Sequence, residues 1–152
     1  MATPLVAAGL LQVVLPLTQL ALRIGASNMP METSHVWLGM FQSEDHLDAY
    51  FEEQYEDDDT PINRFATDQG EMYYDHDWVE RAFCQSGDLH DLIEDASYSY
   101  DYMQDVIATA KELGIKSANT FILADAQEID DPKTVSSTDY QLWYIGKFKC
   151  HV

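Results

Sequence analysis

The spacing of apolar residues changes several times along the chain, and each change predicts an element. HVWLGMF, residues 35–41, mixes β-branched and aromatic residues and predicts a buried first strand. The period then lengthens. In SEDHLDAYFEEQY, residues 43–55, Leu47, Tyr50, Phe51 and Tyr55 recur at helical spacing and predict one apolar stripe. Ser43 is a good N-cap for this helix, and Glu44 and Asp45 suit the positive end of its dipole. Thr60 before Pro61 predicts a second start, with INRFATD as a short helix stopped near Gly70. Residues 71–85 predict helix in their second half, with Trp78, Ala82 and Phe83 inward, and DLHDLIEDA, residues 88–96, a further short helix. The clearest helix follows. Ser99 is its expected cap, Met103, Val106, Ile107, Ala110 and Leu113 its apolar face, and Gly114 its stop.

The C-terminal part turns to strands, from about Thr120 to Ala124 and from Gln141 to Lys149, joined by a polar loop containing Pro132. Strand, several helices, then strands is the order of a single α+β domain, a small antiparallel or mixed sheet packed by helices over residues 31–152. VWLGMF and WYIGKF echo one another, which places Gly39 and Gly146 where something packs closely on a strand.

Residues 1–30 stand apart as an apolar N-terminal extension. PLVAAGLLQVVLPLTQLAL, residues 4–22, holds no acid and is marginally long enough to span a bilayer, yet Gln12, Pro16, Thr18 and Gln19 interrupt it. No Lys or Arg precedes it, as a secretory signal would want. Signal, anchor and misassigned start all stay open, with Met29 and Met31 as internal starts.

Charge narrows the partners. The formal net charge is −19 and the pI about 4.2, so nucleic acid and anionic membrane are repelled by residues 31–152, which leaves a basic protein as the expected partner or solubility as the charge's whole purpose. Residues 44–105 hold 20 of the chain's 27 acids against only Arg64 and Arg81, whereas residues 106–152 are nearly balanced. The cysteines, Cys84 and Cys150, have no zinc or redox spacing and read as reduced thiols of a cytoplasmic protein, or of a periplasmic or anchored one if the apolar segment functions.

EMYYDHDWVE, residues 71–80, is where chemistry and docking compete. Asp75, His76 and Asp77 have ligand-type side chains, and an acidic metal-dependent enzyme using them is the alternative reading. Adjacent residues point in different directions, however, and no HExxH, EF-hand, P-loop or nucleophile motif accompanies them. Carboxylates interleaved with Tyr and Trp suit an interface with a basic protein better, since such rings bury area at low entropic cost. The expected partner-binding residues are Glu53, Asp57, Asp58 and Asp59 for the field, Asp75, His76 and Asp77 beside them, and Tyr73, Tyr74 and Trp78 as anchors. An adaptor for some other basic protein fits the same surface.

Trp37-x-Gly39-x-Phe41, the Ser43-Glu44 pair, Phe65-x-x-Asp68-x-Gly70 leading to Tyr74–Asp77, and the C-terminal NTFILAD and YIGKF together resemble the immunity protein 22 family of bacterial polymorphic toxin systems, over about residues 35–148. The resemblance implies a small α+β protein that binds and neutralises a cognate toxin, with no enzymatic activity and no cofactor. The acidic charge adds the expectation of a basic toxin, a nuclease that grips phosphates, with pore-forming and NAD-degrading toxins also open.

Overall fold

The computed structural model describes residues 31–151; the apolar extension and the readings placed on it lie outside them. Five strands, β1 (Met31–Phe41), β2 (Val79–Phe83), β3 (Thr120–Asp125), β4 (Val135–Ser136) and β5 (Tyr140–His151), form one antiparallel sheet in the order β2-β3-β1-β5-β4. The most apolar stretch lies in β1, the central strand. Its register with β3 sets Trp37 opposite Ile122 and Leu38 opposite Phe121.

Alternation along β1 divides its side chains between two cores. Val36 and Leu38 face α3 (Leu89–Ile93) and α4 (Ser99–Glu112), whose Leu92, Ile93, Tyr102, Val106 and Ala110 are buried with them. Trp37 and Phe41 face α1 (Glu44–Tyr50), α2 (Arg64–Gln69) and their connecting segments, where Leu47, Tyr50, Phe65 and Ala66 are buried. A strand covered on both faces needs a near-continuous apolar run, and HVWLGMF supplies it. Each large apolar side chain so buried contributes about 1.5–3 kcal/mol. Gly39 is required by space, because a Cβ there would lie 3.0 Å from the Gln141 carbonyl oxygen of β5. Gly146 is required instead by its backbone, at φ +145°, so close packing explains only one half of the echo.

Local signals hold at several element ends and move at others. The Ser43 hydroxyl accepts from the His46 N–H at 3.2 Å, as expected of a cap. The helix it starts ends at Tyr50, about a turn early, so Tyr55 leaves the apolar stripe and is exposed. The α2 cap is Asn63, whose Oδ1 accepts from the Ala66 N–H at 2.9 Å, and Gly70 at φ +77° closes the helix. Thr60 does not cap it; its hydroxyl donates to Asp57 at 2.7 Å. Nor does Ser99 cap α4. It is the first helical residue, its hydroxyl donates to the Glu94 carbonyl at 2.7 Å, and Tyr98 precedes it in a left-handed conformation, φ 57°. Leu113, expected on the apolar face of α4, is exposed.

Residues 79–83 correct the helix expected there. Val79–Phe83 pairs with β3, Val79 opposite Ala124 and Phe83 opposite Thr120. Val79 and Phe83 pack on the α1–α2 core and Ala82 on the other, a period of two that polar Glu80 and Arg81 conceal in the sequence. Trp78 ends a short 3-10 turn, His76–Trp78, and is half exposed rather than inward.

Two polar networks sit inside the α1–α2 core. The Asp68 side chain is 8 % exposed; its Oδ2 accepts from the hydroxyls of Tyr50 (2.8 Å) and Tyr140, and its Oδ1 from Arg64 Nε at 3.2 Å. Burial and this carboxylate push the Tyr50 hydroxyl strongly up and that of Tyr140 up to about 12. His35 Nε2 donates to the Ile129 carbonyl at 3.0 Å, leaving the neutral ring's Nδ1 to accept from the Tyr144 hydroxyl at 2.9 Å. Burial lowers the pKa of this imidazole, consistent with the neutral form.

Candidate functional site

The residues expected to bind a partner lie on two segments, the loop after α1 and the run from Tyr73 to the 3-10 turn. Gln54 organises the first. Its side-chain Nε2 donates to the carbonyls of Asp57 (3.0 Å), Thr60 (2.8 Å) and Pro61 (3.2 Å), while its Oε1 accepts from the N–H groups of Glu56 (3.1 Å) and Asp57 (3.0 Å). Those bonds take the place of the missing helical turn. The Asp57 carboxylate adds two more, accepting from the Asp59 N–H at 2.9 Å and the Thr60 hydroxyl at 2.7 Å. Both hold its pKa below the ordinary carboxylate value, the Thr60 bond foremost, so Asp57 stays ionised. Asp58 and Asp59 project as exposed side chains from this frame.

The loop is tied to the second segment. Gln54 N–H donates to the Ile62 carbonyl at 2.8 Å, and Ile62 N–H to the Met72 carbonyl at 2.9 Å. Asp75 caps the 3-10 turn through the Asp77 N–H at 3.0 Å, and its own N–H donates to Glu128 at 2.6 Å. His76 Nδ1 lies 3.0 Å from Glu53 Oε1, the same oxygen that accepts from the Tyr55 hydroxyl at 2.9 Å, and its Nε2 lies 3.4 Å from Asp77. Glu53 thus joins loop and turn, and its bond to Tyr55 raises that phenol's pKa.

The structure leaves Asp57, Asp58, Asp59, Tyr73, His76, Asp77 and Trp78 exposed, half-buries Glu53 and Asp75, and removes Tyr74 to the core. Tyr73 is 63 % exposed and Trp78 is half exposed. Tyr74, expected as an anchor, is 3 % exposed: its ring packs edge-on to Phe65, its oxygen accepts from Asn63 Nδ2 at 2.6 Å, and burial pushes its hydroxyl up to about 12. Extended backbone sends neighbouring side chains to opposite sides, so only one of two adjacent tyrosines can face solvent here. Tyr55, 66 % exposed, and Met72, about half exposed, join the surface instead. The helical stripe hid Tyr55, and nothing in the pattern distinguished Met72.

Asp75, His76 and Asp77 do not converge on a point. One Asp75 oxygen is taken by the cap, and His76 turns to Glu53. Among the described residues, the grouping with metal-type spacing is elsewhere, at His90, Asp91 and Glu94, and all three are exposed. Beside His76 a recess of about 360 Å³ is bounded by Phe51, Glu53, Tyr74, Val79 and Arg81. It already holds a cation, since the Arg81 guanidinium lies 4.8 Å from the centre of the Phe51 ring and 3.3 Å from Asp48. Among the described residues no helix is long and apolar enough to cross a membrane.

What the arrangement offers is contact: a braced acidic loop, exposed aromatic and thioether side chains next to it, and carboxylates with room to pair. A family model described as Immunity protein 22 matches residues 34–150. No curated protein and no solved structure matches the chain.

Proposed function

The chain belongs to the immunity protein 22 family, and from that premise we propose that it neutralises a basic toxin, a nuclease, by covering its phosphate-binding cleft with the surface built from residues 53–59 and 72–78. The observation that carries this reading is the grouping of exposed Tyr55, Met72 and Tyr73 with Asp57 and Asp58 around one groove, to which Glu53 ties His76 through Tyr55. Exposed rings provide area that excludes water once covered. The carboxylates steer a cationic partner and fix its orientation, raising association to as much as ~10⁸ M⁻¹s⁻¹ at low salt. A nuclease cleft must be basic to hold phosphates, so its field and that of residues 44–105 are complementary. The loop's hydrogen bonds reduce the ordering cost of binding, because its backbone is held before the partner arrives.

Co-expression with the toxin encoded beside this gene tests the proposal. Cells carrying the intact chain survive, the purified proteins form a stoichiometric complex, and nucleic-acid cleavage stops. Survival without a complex, or a partner with no basic surface, would refute it. For an adaptor of another basic protein, the neighbouring toxin would kill regardless.

A further inference from the structure

The acidic surface contains a groove whose chemistry selects one kind of side chain. It lies between the loop after α1 and the segment leading to Tyr73, has a volume of about 150 Å³, and is lined by Tyr55, Asp57, Asp58, Ile62, Met72 and Tyr73, with the Gln54–Thr60 loop behind them. Building on the immunity reading, we propose that this groove is the receptor for a single arginine side chain of the partner.

Three features of the groove argue for that occupant. The charged residues lining it are Asp57 and Asp58, both acidic. Asp57 is kept ionised by its bonds to Asp59 and Thr60, while Asp58 takes no part in the loop's hydrogen bonds and stays exposed to meet a donor. Tyr55 and Tyr73 line the groove with rings of the kind on which a planar cation stacks, and the bond from the Tyr55 hydroxyl to Glu53 restrains the first ring. Met72 and Ile62 supply apolar surface for the aliphatic stem that carries the cation. A guanidinium uses all three at once: it stacks, it bonds a carboxylate through two N–H groups, and it keeps its charge. An ammonium has no plane to stack and holds its water more tightly. The larger recess nearby is excluded as the cation receptor because Arg81 already stacks on Phe51 there.

The groove is also formed in advance. The Gln54–Ile62 and Ile62–Met72 backbone bonds hold its two sides together, so an entering side chain orders little besides itself.

The test is a titration of the full, isotope-labelled chain with N-acetyl-arginine amide, N-acetyl-lysine amide and the neutral isostere N-acetyl-citrulline amide, followed by amide chemical shifts. Arginine produces saturable shifts confined to residues 54–62 and 72–73, lysine binds at least about threefold more weakly, and citrulline gives none. Tyr73→Ala and Asp58→Asn each weaken the arginine response by at least about threefold, while Tyr73→Phe, which keeps the ring face, leaves it within about twofold. Spectra outside the groove report that each variant is folded. Shifts spread evenly over residues 44–105, equal binding of arginine and lysine, or an unchanged response in Tyr73→Ala would overturn the assignment. The two proposals fail separately. If the neighbouring toxin is bound and blocked by Tyr73→Ala as well as by the parent chain, the groove is wrong and the immunity reading stands. If no toxin is bound but arginine still saturates the groove, the reverse holds.

Discussion

Asp68 and Glu53 are both carboxylates that accept from tyrosine hydroxyls and sit beside a basic group, yet they serve opposite ends. Asp68 lies between Tyr50 and Tyr140 with Arg64 at its edge, and its side chain is almost closed to solvent. Glu53 holds Tyr55 and His76 at the rim, where both rings remain open to solvent. In the interior an unmet hydroxyl or carboxylate is costly, so such a network fixes one packing of α1, α2 and β5. At the rim, where the Glu53 side chain is 21 % and that of His76 60 % exposed, water competes for the bonds, so the same chemistry adds less stability. Burial, more than residue type, decides which carboxylate builds the fold and which is left at the surface.

Removing one member from each side sharpens this contrast. Asp68→Ala leaves the buried Tyr50 hydroxyl, the partly buried Tyr140 hydroxyl and Arg64 without their acceptor and should cost about 3 kcal/mol in urea unfolding, with toxin affinity unchanged per folded molecule. A loss under 1 kcal/mol, on the order of a surface change, would break the comparison. Tyr73→Ala should do the reverse, changing stability by no more than ~0.5 kcal/mol and weakening the toxin complex by about 2 kcal/mol in calorimetry.

Replacing Asp57, Asp58 and Asp59 together by asparagine should slow association about tenfold at low ionic strength, an effect that shrinks as salt is raised. Stopped-flow measurements across a salt series would read it, and a parent rate indifferent to salt would end the steering argument. The smallest effect is alkaline. Tyr74 and Tyr140 lose their protons only near pH 12 when folded, against an ordinary value of 10. Folding therefore favours their neutral forms; that contribution is whole below pH 10 and is lost as pH rises through the folded values near 12. Tyr74→Phe should flatten the fall in stability over this window and cost about 1 kcal/mol at neutral pH, because Asn63 loses an acceptor.

The same contrast explains what could be read before the structure. The motifs that resemble the immunity family are fold devices: Trp37, Phe41 and Phe65 fill one core, Gly39 clears β5, Gly70 ends α2 and Asp68 ties its tyrosines. Strong periodicity made β1, β3, β5, α3 and α4 legible, and the α+β class with them. β2 was hidden because its five residues carry Glu80 and Arg81, and only pairing with β3 reveals their period. β4, two residues long, leaves no pattern at all. The acidic surface was legible as a region, through charge, but which of its residues are exposed was not. Tyr73 and Tyr74 are chemically alike in sequence, and Tyr55 fits a helix that stops before reaching it.

The Gln54 staple has a consequence for how this surface changes. One neutral amide sets the course of the backbone from Glu56 to Pro61, and of the side chains it encloses only Asp57 and Thr60 share in that work. Glu56, Asp58 and Asp59 are therefore letters on a fixed line, replaceable without rewriting the scaffold. If this loop meets the toxin as proposed, a change of partner needs edits at those three positions only, while the frame beneath them is inherited intact.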